Sequence, residues 1–107
     1  MNHGDVYWYA FREPDKRRPV LILTRSSAIQ FLTSLTIAPI TSTIRAIPTE
    51  VALSPSDGLL TDCAVNLDNI QTVQKAKMGA FIAHLSTQRM REVRNAIEFA
   101  LGFDALR

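Results

Sequence analysis

The side chains able to do chemistry are few and scattered. His3, His84 and the lone Cys63 lie far apart and form no metal-ligand spacing. They imply neither a metal ion nor any other cofactor. A single cysteine has no internal disulfide partner, which agrees with a reducing compartment. The cations are more telling. Between Arg12 and Arg45 lie six of them, Arg12, Lys16, Arg17, Arg18, Arg25 and Arg45, against two acids, Glu13 and Asp15. The whole chain carries a formal charge of only +2, so this excess is local. A local excess suits a polyanionic partner, although a solvated surface has the same composition.

These residues must be positioned by a small fold. The chain has 107 residues, enough for one domain spanning 1–107 and too few for two. Hydrophobic residues at 47% and charged residues at 21% exclude disorder as the default state. No apolar run approaches the roughly 18 to 20 residues that cross a bilayer. The polar start leads straight into a strand-like run, which predicts no signal peptide and a cytoplasmic protein without membrane contact.

The pattern predicts strands first and one helix last. Asp5 to Phe11 is aromatic-rich and strand-like, and Arg12 to Arg17 is a short charged turn. Pro19 to Arg25 is an apolar run expected to be a strand buried on both faces, with Pro19 at its start. Ser26 to Phe31 suits a short helix capped by Ser26 or Ser27. Leu35 to Thr41 is a third strand, and Pro39 inside it predicts an edge or a bulge. Further strands follow at 48–53, 63–67, 70–73 and 79–85, with a turn at Ser54 to Gly58. Met90, Val93, Ile97 and Leu101 recur at helical spacing behind the cap Ser86, and Gly102 suits the helix end. Phe99 falls off that stripe and is expected to be exposed. If Trp8 and Tyr9 share a regular strand, they face opposite ways and one of them is core. The fold class is mainly β with a C-terminal helix, a small barrel or rolled sheet.

Three ordered segments carry a resemblance. Gly4-Asp5-Val6-Tyr7-Trp8 with Arg17-Arg18-Pro19-Val20-Leu21-Ile22-Leu23 resembles the opening of the MazF/PemK toxin endoribonucleases. Ile37-Ala38-Pro39-Ile40-Thr41-Ser42, extended by Ile47-Pro48-Thr49-Glu50-Val51, resembles that family's second motif. Leu67-Asp68-Asn69-Ile70-Gln71-Thr72-Val73 with Lys75 resembles the third, and Leu85-Ser86 and Ala100-Leu101-Gly102 match its C-terminal segment.

The resemblance implies an SH3-like barrel, a homodimer and a groove for single-stranded RNA. It implies metal-independent cleavage, and a cognate antitoxin whose flexible tail blocks the groove. The family's key arginine corresponds to Arg18 and its key threonine to Thr41. Asp68 matches the aspartate of the third motif and is the candidate base, though a turn-capping role suits it as well. Arg12, Lys16, Arg17, Ser42, Thr43 and Arg45 flank these positions as candidate RNA contacts. His84, in the apolar last strand, is expected to be structural, and His3 lies near a terminus expected to be mobile. The loop after the first strand is shorter than in many relatives. Gln71 stands where arginine is common, and Asn66 where one branch has an arginine two residues before the aspartate. Two rivals differ in class: CcdB toxins share the barrel but bind DNA gyrase, and an inactive relative binds RNA or antitoxin without cutting.

Overall fold

The computed structural model describes residues 1–12 and 17–106. Seven strands are present: β1 (Asp5–Ala10), β2 (Arg17–Ile22), β3 (Ser34–Thr41), β4 (Glu50–Leu53), β5 (Cys63–Asn66), β6 (Gln71–Gln74) and β7 (Met78–His84). A short helix α1 (Ser26–Ile29) follows β2, and α2 (Thr87–Ala100) ends the fold. The strands run antiparallel in the order β4-β5-β3-β2-β1-β7, with β6 also paired to β3. The mainly β architecture with a C-terminal helix is the one expected from sequence.

β3 is the hub, which corrects the expectation drawn from Pro39. It is not an edge strand. One side pairs with β2 through Val20↔Pro39, Leu21↔Ala38 and Ile22↔Ile37. The other side pairs first with β6, up to Ile37, and then with β5, from Ile40 onward. The Leu23 amide donates to the Thr36 carbonyl at 2.9 Å, which sets the parity of the β2–β3 ladder. By that parity the Pro39 nitrogen points away from β2, into the gap between β6 and β5. The missing N–H therefore falls where no ladder bond is needed, and the strand passes from one partner to the next there. Pro19 is the third residue of β2, not its first, and lies just before the β2–β3 ladder begins at Val20.

Two cores fill the opposite faces of the sheet. Val6, Leu21, Ala38, Ile40, Val65 and Leu85 pack with Val93 and Ala96 of α2. Tyr9, Val20, Ile22, Leu35 and Ile37 pack under Ile29 of α1 and Val73 of β6. Tyr9 is thus the core aromatic of the Trp8–Tyr9 pair, at 7% exposure, while Trp8 is half-buried. The alternation along β1 and β2 assigns each residue to a face, as strand geometry requires.

The helices refine the sequence reading. Ser86 caps α2 by accepting from the Arg89 amide at 3.1 Å, and Gly102 takes a positive φ of 82° after its end. The N-cap of α1 is Arg25, and neither Ser26 nor Ser27 caps it. The Ser26 hydroxyl instead accepts from the His3 amide at 2.9 Å, while His3 Nδ1 lies 3.0 Å from the Leu23 carbonyl. The N-terminus is therefore tied down rather than loose at His3. His84 is structural as expected, its Nδ1 sitting 2.7 Å from the buried Asp5 carboxylate. Phe99 is exposed on α2, also as expected.

Arg89 fastens α2 to the turn after β4. Its Nε donates to Asp57 at 2.9 Å and its Nη1 to Glu92 at 2.9 Å. Asp57 also accepts from the Ser54 amide, closing a capping box. The Arg89 hydrogen bond holds the Asp57 carboxyl below the usual range, against the opposing effect of burial. Such a depressed group stabilises the fold above its unfolded-state value and stops doing so as pH falls through its folded value. Arg89→Ala should therefore cost about 1 to 3 kcal/mol at neutral pH. Urea unfolding should show the gap between wild type and variant closing below about pH 4. A gap of unchanged size at low pH would assign the loss to packing instead.

Candidate functional site

Two clefts meet at the ends of β2 and β3. Continuing the β2–β3 register by two residues beyond Val20↔Pro39 sets Arg18 opposite Thr41. Arg18 and Thr41 line both clefts. The first, about 390 Å³, is completed by Trp8, Arg17, Pro19, Ile40 and Ser42 together with Leu59, Leu60, Thr61, Cys63 and Ile82. The second, about 340 Å³, is completed by Phe11, Pro39, Arg45, Asn66, Asn69 and Gln71.

The electrostatics of both linings have one sign. Arg17, Arg18 and Arg45 are present, and among the described residues neither lining contains an aspartate or glutamate. Among the described residues Arg18 has no carboxylate partner and is exposed, so its fork of donors is open to a ligand. Arg17 points to the other face of the strand and lies over the Trp8 ring, 5.1 Å from its centroid. Arg45 is held differently. The Glu50 side chain, 2% exposed, accepts from the Arg45 amide at 2.9 Å and lies 3.9 Å from its Nε. This carboxylate fixes a loop in which Ala46 takes a positive φ of 55°.

Thr41 is set up as a donor. Its Oγ1 accepts from the Thr43 amide at 3.1 Å. That bond uses a lone pair and leaves the hydroxyl hydrogen free for an anion in the cleft. Cys63 is buried in the first cleft, where burial, then Asp57 and Asp62, push its thiol pKa up. It stays protonated at neutral pH and is a weak nucleophile there.

The structure brings together Arg17, Arg18, Thr41, Ser42 and Arg45. It does not bring Asp68 to them. Asp68 lies outside both linings, and its Oδ2 accepts from the Thr49 hydroxyl at 2.6 Å. Its own amide donates to Asn66 Oδ1, so it tethers the 3-10 turn Leu67–Asn69 to the loop before β4. Arg12 and Thr43 are exposed and line neither cleft, Thr43 acting through its amide on Thr41. Lys16 lies outside the described residues. Sequence reasoning passed over Leu59, Leu60, Phe11 and Asn69. Leu60 left a signal, an apolar residue in a turn, and it is 77% exposed. No three of His, Cys, Asp and Glu cluster to hold a metal ion among the described residues. No helix among them is long and apolar enough to cross a membrane.

Residues 2–101 match the family of PemK-like, MazF-like toxins of type II toxin–antitoxin systems. Among curated relatives, the probable endoribonuclease MazF5 of Mycobacterium tuberculosis is 39% identical over 99 residues, covering 92% of this chain and 90% of the relative. Endoribonuclease MazF3 of the same species is 40% identical over 90 residues, 84% of this chain and 87% of the relative. Among solved structures, the M. tuberculosis toxin MazF-mt6 superposes with a TM-score of 0.85 at 36% identity, over 92% of this chain and 96% of that one. A mycobacterial endoribonuclease solved in complex with its cognate antitoxin gives 0.84 at 30% identity, over 95% of each chain. The fold is thus the SH3-like barrel that the resemblance implied, and the chain belongs to the PemK/MazF family of type II toxins.

Proposed function

We propose that this toxin is an endoribonuclease that cuts single-stranded RNA without a metal ion, by attack of a ribose 2′-OH on the adjacent phosphorus. The observation that carries this reading is that Arg18 and Thr41 line the same two clefts, whose described residues include three arginines and no carboxylate. The names of the curated relatives support the same activity.

Arg18 holds the non-bridging oxygens of the scissile phosphate with its planar fork. Thr41 donates its free hydroxyl hydrogen to the same group. Both contacts strengthen as negative charge builds on the phosphorane, which is how preorganised donors lower a barrier. The 2′-oxygen forms a bond to phosphorus as the 5′-oxygen leaves. The 2′-OH proton passes to solvent and the 5′-oxygen takes one up, giving a 2′,3′-cyclic phosphate and a 5′-OH. Among the described residues no Asp, Glu, His or Lys side chain lines the clefts to act as base, so electrostatics and alignment carry the rate. Asp68 serves this site by holding the turn beside it, through Thr49.

Arg18→Ala should lower cleavage in EDTA by roughly 10² to 10³ with the fold intact by circular dichroism. In the same assay Asp68→Asn, which keeps an acceptor for Thr49, should stay within about threefold, since a positioning contact is conserved. A large loss in Asp68→Asn alone, with a changed pH profile, would restore Asp68 as base. Wild-type rates in a folded Arg18→Ala protein would remove the phosphate role from that arginine.

Replacing the ribose at the cleaved position with deoxyribose removes the attacking atom and leaves the phosphate in place. Binding should fall modestly while cleavage stops, because phosphate contacts and stacking do not need that hydroxyl. Cutting of the deoxy strand at the same bond would mean that water attacks.

The two clefts of one barrel hold few nucleotides, and a second copy would lengthen the groove. We therefore assign a symmetric homodimer with an isologous interface as the working form, and a cognate antitoxin peptide as its inhibitor. The relative solved with its cognate antitoxin supports the second partner. Light scattering on active protein should give twice the 11.9 kDa chain mass. A value at the chain mass, at concentrations where cleavage is seen, would refute the dimer.

A further inference from the structure

The two clefts on either side of Arg18 and Thr41 are chemically unlike. Beyond those two residues, the first has Trp8 and the apolar side chains of Leu59, Leu60 and Ile82, with Arg17, Ser42 and Thr61 as its polar side chains and no amide side chain. A ring such as Trp8 holds a base by its flat face, whichever base it is. The second has Phe11 and three amide side chains, Asn66, Asn69 and Gln71. Amides carry both donors and acceptors, which is what reading a base edge requires.

Backbone groups fix which way two of these amides face. Asn66 Oδ1 accepts from the Asp68 amide at 3.0 Å, so the NH₂ end of Asn66 is the end left over. Gln71 Nε2 donates to the Asn69 carbonyl at 3.3 Å, so the Gln71 oxygen is left over as an acceptor. Both residues are half-buried, Asn66 at the end of β5 and Gln71 at the start of β6. The turn between them is anchored. Leu67 is fully buried, its amide donates to the Thr49 carbonyl at 2.9 Å, and the Thr49 hydroxyl holds Asp68. Phe11 is also braced, edge-on against the core ring of Tyr9 with centroids 4.8 Å apart. A ring face, a fixed donor and a fixed acceptor thus share one small cleft with the phosphate clamp.

We infer that this second cleft selects the base of one unpaired nucleotide flanking the scissile phosphate, with Phe11 against its face, Asn66 as donor and Gln71 as acceptor. The inference rests on the nuclease reading above. Asn66 and Gln71 are then selectivity residues: their neutral amides can match the donors and acceptors of a base edge, which phosphate contacts do not distinguish.

The test uses a pool of single-stranded RNA with randomised sequence, cut by the full-length protein and read by sequencing the new ends. Wild type should show a preference of about tenfold or more at one position beside the cut. Asn66→Ala and Gln71→Ala should flatten that position to within about threefold and leave preferences elsewhere intact. Asn66→Asp covers the case in which alanine loosens the turn. It keeps the oxygen that holds Asp68 and exchanges the outward donor for an acceptor, so the favoured base at that position should change. Its added charge lowers cleavage of every sequence and so does not move the preference. Phe11→Leu should weaken cleavage evenly across bases. A wild-type preference that persists unchanged at every position in the folded Asn66→Asp and Gln71→Ala proteins would overturn the base-reading role and leave the nuclease standing. Failure of the wild type to cut the pool would instead remove the nuclease reading, and this subsite with it.

Discussion

The register between β2 and β3 is the constraint on which the site depends. Val20↔Pro39 is the last pair of the β2–β3 ladder, and just beyond it Arg18 and Thr41 reach the same two clefts, although they are 23 positions apart in the chain. A slip of one residue would turn either side chain to the opposite face and separate them. The hydrophobic pattern resists that slip on both sides at once. Leu21 and Ala38 belong to the core under α2, whereas Val20, Ile22 and Ile37 belong to the core under α1. With both faces of β2 and β3 buried, a shifted register would have to repack two close-packed cores at once. The burial that stabilises the fold is therefore also what sets Arg18 and Thr41 at the clefts they share.

Pro39 shows how a residue unfavourable in a central strand is accommodated. β3 serves β6 along its first half and β5 along its last residues. A continuous partner would have left a ladder bond unmade at the proline. The change of partner falls at the one place where no N–H is called for. Thr41, the last residue of β3, pairs with Ala64 of β5 and lines the clefts.

Much of this was legible in the sequence, and the limits have physical causes. The strands at β1, β3, β5 and β6 and the helix α2 follow from apolar runs and caps, which are local signals. The edge or bulge expected from Pro39 gave way to an exchange of partners, because the rule concerns an N–H without a partner, and partner exchange satisfies that rule as well as an edge does. Ser26 or Ser27 was expected to cap α1, but neither does, and the Ser26 hydroxyl faces His3, a contact over 23 residues that no local pattern announces. Asp68 carried a motif match, yet a carboxylate takes whichever donor the fold presents, and here that is Thr49. Arg18 and Thr41 stood out only through family resemblance. By residue type alone they are a surface cation and a strand-end hydroxyl. Asn66 and Gln71 first appear as missing arginines, and only the placement of their amides in one cleft gives them a positive role.

The charges around the clamp are managed without neutralising it. Three arginines close together repel one another, and a protein selected for stability alone would answer each with an exposed carboxylate. Here Arg17 is turned to the other face and rests on Trp8, and Arg45 is answered by Glu50, which is buried and outside both linings. Arg18 alone among them is left without either kind of partner among the described residues. A carboxylate beside Arg18 would stabilise the resting fold and compete directly with the phosphate for the same fork of donors. Leaving that fork unpaired lowers the cost of binding RNA, since no ion pair must be broken first. The same cation, without an ion-pair partner among the described residues, is what the proposed attack needs as charge grows on a bound phosphate.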